Sequence, residues 1–364
     1  MNKRIGLVGL AAIALIAAPL RAEAAPDELQ HGLDEVVRTA GVGAQVEVHD
    51  RGQVWRGRSG VAEVGTKRKV PLDGYFRIGS VTKTFLATVA LQLVAEKRLR
   101  LDDPVSKWFP GIEGVTVRQL MNHTSGLYDV LHTLPRPPEP EFYANRYRTW
   151  TADELIQRAL VNPPTDKPGV AYKYSNTNYL LLGEIVEQVT GKSYDRQIER
   201  RIIRPLDLEH TSLPGTSPRI PEPHAHGYVP NPDKTLLDYT TMNPSVFGAA
   251  GEMISTTHDL DRFMTALLGG RLLPPYLLKQ MKTPGTEGGH YGLGLAWIDT
   301  PCGIRAYGND GDALAYQAWS FSTPDLRRRV SLVLTPNFAS DSDDVVDPYL
   351  DKAFCANGVP KNGY

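Results

Sequence analysis

Ser80-Val81-Thr82-Lys83 places a hydroxyl and an amine three residues apart at the start of an apolar stretch. On a helix that spacing puts both side chains on one face, a turn apart. A serine hydroxyl is a poor nucleophile until a base takes its proton. A lysine amine is such a base once desolvation or nearby positive charge lowers its pKa. The helix N-terminus also aims backbone N–H groups where an oxyanion would form. The plain alternative is an N-cap serine followed by a surface lysine.

Two further segments carry chemistry. Tyr172-Lys173-Tyr174-Ser175-Asn176 precedes an apolar helix. There, a tyrosine hydroxyl can pass a proton to a leaving group, and an asparagine amide can hold a substrate peptide group by donor and acceptor together. The alternative is a turn in which Ser175 or Asn176 caps the helix. Gly308-Asn309-Asp310-Gly311-Asp312 lies ahead of the strand-like Leu314–Ser322. Its small residues would let a substrate backbone pair along the edge, and a backbone N–H could be a second oxyanion donor. Asn-Asp-Gly is equally good turn chemistry.

These side chains need a frame. Asp27–Ala40 reads as a helix with Leu29, Leu33, Val36 and Val37 on one face, stopped by Gly41. Ala44–His49 and Val54–Val61 alternate like strands around the hairpin signal Asp50-Arg51-Gly52. The helix after Ser80 carries Phe85, Leu86, Val89, Ala90, Leu93 and Val94, so it sits centrally. Helical stretches at Thr116–Asn122, Ala152–Val161, Asn178–Gly191 and Ser193–Ile203 are divided by proline-rich loops. Helix Thr257–Leu268, strands Ile304–Gly308, Leu314–Ser322 and Arg329–Thr335, and helix Asp343–Cys355 follow. Strands at both ends and helices between them predict an α+β fold. Residues 25–101 and 245–364 form an antiparallel sheet flanked by the terminal helices, 102–244 are a mainly helical insertion, and the site lies in the cleft between.

The bulk numbers are those of a soluble globular chain: 364 residues, 41% hydrophobic, 22% charged, net charge -1. That balance gives no field to recruit nucleic acid or anionic lipid. Residues 1–24 read as a signal peptide, with a basic head, an apolar run from Ile5 to Leu20 and Ala22-Glu23-Ala24 before the cut. The run is short for a membrane span, which takes about 20 residues, so the mature protein is expected outside the cytoplasmic membrane, without a stable membrane anchor. In that compartment Cys302 and Cys355 suggest a disulfide, worth about 4 kcal/mol in the chain-entropy treatment; two buried thiols are the alternative. No metal or cofactor constellation is read; His224 and His226 are a pair in a proline-rich loop.

In this order, the segments resemble the penicillin-recognising serine hydrolases, above all the secreted actinomycete D-alanyl-D-alanine carboxypeptidases and class C β-lactamases. Phe76-Arg77-Ile78-Gly79-Ser80, Met121-Asn122-His123-Thr124-Ser125-Gly126-Leu127-Tyr128, Tyr172 to Tyr179 and Tyr291-Gly292-Leu293-Gly294-Leu295 share in the likeness. The resemblance implies that Ser80 is acylated, that Lys83 takes its proton and that Tyr174 serves the leaving amine. It implies Asn176 on the acyl side chain, Asn309, Asp310 and Gly311 along the substrate, and the N–H groups of Ser80 and Asp312 as oxyanion hole. Cys302 and Cys355 sit where those carboxypeptidases place their disulfide. His123 is read as a structural loop histidine. The implied partner is a small molecule or peptide, such as a cell-wall peptide or β-lactam, bound by a monomer.

Two positions depart from that family pattern. Asn309 stands where it usually has His or Lys, and Ala296 where the carboxypeptidases carry Arg. Both cations would meet a substrate carboxylate; here Asp310 and Asp312 add negative charge. An ester, an amide or a peptide cut from its N-terminal side is therefore set beside the carboxypeptidase reading. A β-lactam-binding inactive homologue is the non-enzymatic alternative.

Overall fold

The computed structural model describes residues 24–356, so all but the last residue of the expected signal peptide, its apolar run included, lies outside the described residues. Helix α1 (Ala24–Ala40) buries Leu29, Leu33, Val36 and Val37, as its periodicity requires. Strands β1 (Gly41–Asp50) and β2 (Gln53–Gly60) form a hairpin in which Asp50 pairs with Gln53. Arg51 and Gly52 turn the chain with φ of 47° and 86°, the left-handed pair that a two-residue hairpin demands. Strand β3 (Phe76–Arg77) then leads into α2 (Val81–Ala95).

The middle of the chain is mainly helical: α3 (Val117–Met121), α4 (Pro140–Ala144), α5 (Ala152–Leu160), α6 (Thr177–Thr190) and α7 (Tyr194–Ile198). The expected helix Ser193–Ile203 is regular only as far as Ile198 and continues as a wider π turn over Glu199–Ile203. Short strands β4 (Tyr228–Pro230) and β5 (Leu236–Asp238) pair with each other, and β6 (Ile254–Ser255) pairs with β3. After α8 (Thr257–Leu268) and α9 (Pro275–Met281) come β7 (Ala296–Asp299), β8 (Arg305–Asp312), β9 (Gln317–Ser322), β10 (Arg328–Pro336) and α10 (Asp343–Cys355).

Six strands make one antiparallel sheet in the order β2-β1-β10-β9-β8-β7. Side chains alternate across it. Val330, Leu332 and Leu334 face α1 and α10, while Val333 joins the larger core around α2, α6 and α8. Helix α2 is buried on nearly every side, from Val81 to Leu91. Burying each large apolar side chain contributes about 1.5–3 kcal/mol, so Phe85, Leu86, Val89 and Leu93 fix the helix that begins at Ser80. Phe85 stacks on Phe263 of α8 at 3.6 Å.

The structure corrects two expectations drawn from sequence. Strand β8 runs on through Asn309–Asp312, four residues past the predicted end at Gly308, and β9 starts at Gln317 rather than Leu314. Pairing Asn309 with Ser320 and Asp312 with Gln317 overrides the turn preference of Asn-Asp-Gly. Strand β7 and helix α9 were not anticipated. Cys302 and Cys355 are joined, tying the β7–β8 connection to the end of α10.

Candidate active site

Ser80 sits immediately before α2 with φ -63° and ψ -12°, and its side chain makes no capping bond. The hydroxyl is thus left for other partners. Lys83, a turn later, is fully buried. Its Nζ lies 2.9 Å from Ser80 Oγ, 2.8 Å from Asn176 Oδ1 and 2.7 Å from the Ala250 carbonyl. Burial lowers the Lys83 pKa from its usual 10.5 to about 7, against the pull of Asp129 and Asp310. Once neutral, the amine keeps two N–H bonds. Asn176 Oδ1 and the Ala250 carbonyl can only accept, so they take both, and the lone pair is left facing the Ser80 hydroxyl.

That assignment depends on which way the Asn176 amide points. Asp129 settles it. Its carboxylate accepts from Asn176 Nδ2 at 3.1 Å and from the Asn176 backbone N–H at 3.1 Å, which turns Oδ1 toward Lys83. Both ends of this amide are engaged by protein groups, whereas the sequence reading has them on the acyl side chain of a substrate. Tyr174 brings its hydroxyl to 2.6 Å from Ser80 Oγ. Burial, then Tyr291, pushes its pKa well above the usual 10, although the Ser80 hydrogen bond opposes this. At neutral pH it is a phenol, a proton donor. The residue as a whole is 37% exposed and forms part of the groove wall, while its hydroxyl is turned in toward Ser80.

On the other side of Ser80 runs β8. A Cβ on Gly311 would stand 2.1 Å from the Ile78 carbonyl and 2.7 Å from Ser80 N, and one on Gly79 would stand 2.8 Å from Asp312 N. Only glycine at both places lets the Ser80 and Asp312 backbones lie this close. Asn309 differs from expectation. It is 3% exposed and turned away from the groove, its Nδ2 donating to Thr84 Oγ1 at 3.1 Å and, more weakly, to the Ser80 carbonyl. This follows from the alternation of β8, which puts Asn309 against α2. Asp310 and Asp312 are exposed along the groove. Although both side chains reach solvent, the protein packed around the groove partly desolvates them, and this is the main cause that raises both carboxyl pKa values, with Asp343 adding to each. Arg305 is bound to Asp299 on the surface and supplies no charge to the groove.

The profile of the family described as Beta-lactamase matches residues 28–355. The chain belongs to that family. Among solved structures, it resembles a D-stereospecific amidohydrolase from Streptomyces sp., with 37% identity, a TM-score of 0.82 and coverage of 91% of this chain and 99% of that one. It also resembles the D-amino acid amidase from Ochrobactrum anthropi SV3, with 28% identity, a TM-score of 0.78 and coverage of 90% and 98%. Penicillin-binding protein 4 of Amycolatopsis lactamdurans is 29% identical over 297 residues, 74% of each chain. The putative penicillin-binding protein PbpX of Bacillus subtilis is 30% identical over 228 residues, 62% of this chain and 54% of its own length. This chain spans about half the length of PbpX and of Penicillin-binding protein 4* from the same organism.

In this member of the beta-lactamase family the groove beside Ser80 is largely apolar. It encloses about 600 Å³ walled by Leu131, Phe142, Trp150, Tyr239, Met242 and Phe247. Arg136 and Arg146 also line it; Arg146 is already held by the Thr241 carbonyl and lies over the Tyr239 ring. Sequence reasoning placed Ser80, Lys83, Tyr174, Asn176 and Asn309–Asp312 around this groove but missed Asp129, the Ala250 carbonyl and the aromatic wall. Asp129 follows directly on the Met121–Tyr128 segment, and that adjacency was its only signal. The Ala250 carbonyl and the wall arise from chain packing that no local spacing announces.

Proposed function

We propose that this chain is an exported, monomeric serine amidohydrolase. It forms a Ser80 acyl-enzyme with amides, or the N-terminal side of short peptides, whose first residue has a bulky apolar side chain and a free amino group. In this reading the sheet half (25–101 with 245–364) supplies nucleophile, base and oxyanion donors, and the insertion (102–244) supplies Tyr174 and Asn176. One observation carries the choice of substrate. Beside Ser80 the strand presents Asp310 and Asp312, with Asn309 turned inward. A carboxylate one residue from the scissile bond meets like charge there, whereas an ammonium meets opposite charge. The names of the Streptomyces and Ochrobactrum structures support an amide substrate of D configuration. The apolar cavity supports a bulky side chain. The Cys302–Cys355 disulfide supports an oxidising compartment and hence export. Among the described residues no helix is long and apolar enough to cross a membrane.

In mechanism, Ser80 Oγ attacks the carbonyl carbon as its proton moves to neutral Lys83 Nζ. The carbonyl oxygen becomes an oxyanion held by the Ser80 and Asp312 N–H groups. The C–N bond breaks as Tyr174 O–H gives its proton to the departing nitrogen. The resulting phenolate is far more basic than Lys83 and recovers a proton from it. Water then repeats the sequence on the ester. The penicillin-binding names among the curated relatives favour a second reading, in which a D-alanyl-D-alanine peptide or a β-lactam acylates the same serine.

A hydrolysis panel separates them: D- and L-phenylalanine amide, a D-alanyl-D-alanine peptide as free acid and as amide, a p-nitrophenyl ester and a cephalosporin, with Ser80→Ala as control. A charge-assisted contact is worth about 1.5–3 kcal/mol, or roughly tenfold to a hundredfold. The expected result is a preference of that size in kcat/KM for D-phenylalanine amide over the free-acid peptide. Preference for the free acid overturns the amide reading.

A further inference from the structure

His123 is buried completely, in a fold region otherwise assigned no chemistry, and it touches the segment that carries Tyr174 on both sides of that residue. Its backbone carbonyl accepts from the N–H of Lys173 at 2.8 Å. Its ring Nδ1 accepts from the N–H of Ser175 at 3.2 Å. Between these two bonds, the imidazole stacks on the Tyr174 ring at 4.2 Å, with 28° between the planes. One residue therefore fixes the backbone before and after the tyrosine and also the face of its ring.

The histidine is itself fixed. Ser125 Oγ–H donates to Asn178 Oδ1 at 2.6 Å, which turns the Asn178 amide N–H toward His123 Nδ1 at 3.1 Å. With two donors aimed at Nδ1, the proton resides on Nε2. Nε2 has no hydrogen-bond partner among the described residues, and the imidazole ring centre lies 4.9, 5.4 and 5.9 Å from the ring centres of Tyr291, Tyr179 and Tyr172. Burial, followed by the charge of Lys83, holds the imidazole well below its ordinary pKa, so it stays neutral. Its backbone adopts φ 58°, a conformation that costs a histidine energy and is retained only when the surroundings over-determine it.

We infer that His123 is the positioning residue for Tyr174, clamping the hydroxyl within hydrogen-bond reach of Ser80 while exchanging no proton itself. The inference rests on the role given to Tyr174 above. A neutral imidazole suits this place because it accepts two N–H bonds on one edge and offers a flat face, without a charge that would compete with Lys83. Lys83 Nζ stands 5.0 Å from the centre of the same Tyr174 ring.

The test is a double-mutant cycle on D-phenylalanine amide with Tyr174→Phe, His123→Phe, His123→Asn and the two combined variants, each checked for folding by circular dichroism. His123→Phe keeps a ring and loses the acceptor. His123→Asn keeps an acceptor near the place of Nδ1, tolerates the left-handed backbone and loses the ring. Misplacing a catalytic group by an ångström costs about a hundredfold. The expected result is a fall in kcat of about a hundredfold for His123→Phe and about tenfold for His123→Asn. KM and the acid limb of the pH profile stay unchanged. Neither substitution lowers kcat further in the Tyr174→Phe background. His123→Asn carries the cycle alone if His123→Phe does not fold. Losses that persist in the Tyr174→Phe background, a moved acid limb, or undiminished kcat in the His123 variants overturn the inference. Full activity of Tyr174→Phe itself would instead strike at the Tyr174 role on which the clamp depends.

Discussion

Asp129 decides which end of the Asn176 amide Lys83 meets, and through it which partner the Lys83 lone pair is left to face. Without that carboxylate the amide can turn and present Nδ2 to the amine. The lone pair then has a donor other than Ser80. Asp129 also stabilises the Lys83 ammonium by charge. Asp129→Ala is therefore expected to lower kcat by about tenfold or more, in line with the loss of part of a general-base contribution. The same change moves the acid limb of kcat/KM downward from about 7, because removing a nearby anion makes the ammonium lose its proton more easily. Steady-state kinetics from about pH 5 to 9, spanning that limb, checks both; an upward shift would contradict the account.

Strand β1 shows how the elements are locked in register. Glu47 is buried, with Arg56 of β2 at 2.8 Å and His49 at 2.6 Å, and His258 of α8 stands at 3.4 Å. Asp261 of α8 binds Arg329 of β10 at 2.6 Å, so the network ties α8 to three strands. Glu47, His49 and Asp261 have ligand atoms close enough for a metal ion, but arginines already share these carboxylates. Burial acts to raise the Glu47 pKa, and the hydrogen bonds from His258 and His49 with the Arg56 charge outweigh it, so the carboxyl is held far below its usual 4.5. A depressed carboxyl contributes stability above its unfolded pKa and loses it on acidification. Glu47→Gln should cost about 3–5 kcal/mol at neutral pH, the range for breaking a buried ion pair, and progressively less below pH 4.5. Urea denaturation across pH measures this; an equal cost at about pH 3 and at neutral pH would contradict it. The ends of this sheet were legible in sequence because β1, β2 and β10 alternate and their helices carry clear stripes. Strand β8 was not legible beyond Gly308, since Asn309-Asp310-Gly311 has turn composition and only pairing with β9 makes it strand. Ser80 and Lys83 were legible from spacing. Tyr174 was legible from its Tyr-Lys-Tyr-Ser-Asn segment and the resemblance that segment carries, but what holds it in place was not, because that depends on His123, 51 positions earlier by residue number and 2.8 Å from Lys173 in space.

Across the whole molecule, the proposed nucleophile and base come from the start of a helix buried on nearly every side, while Tyr174 and most of the apolar wall come from the more irregular helical region. In the proposed reading, the cleft joins a chemical part built on the buried helix and sheet to a part whose loops can set specificity. Its negative rim at Asp310 and Asp312 and its aromatic depth argue together for an amine-bearing, bulky substrate. All of this depends on acyl transfer through Ser80 with Lys83 neutral. The most direct measurement is rapid-quench mass spectrometry of the Ser80 peptide during reaction with an activated D-phenylalanine ester, whose fast leaving group lets an acyl-enzyme accumulate. The account predicts a D-phenylalanyl adduct on Ser80, formed at a rate that rises with pH and is half-maximal near about 7. Ester turnover with no adduct on Ser80, or an adduct whose rate ignores pH across that range, would contradict it.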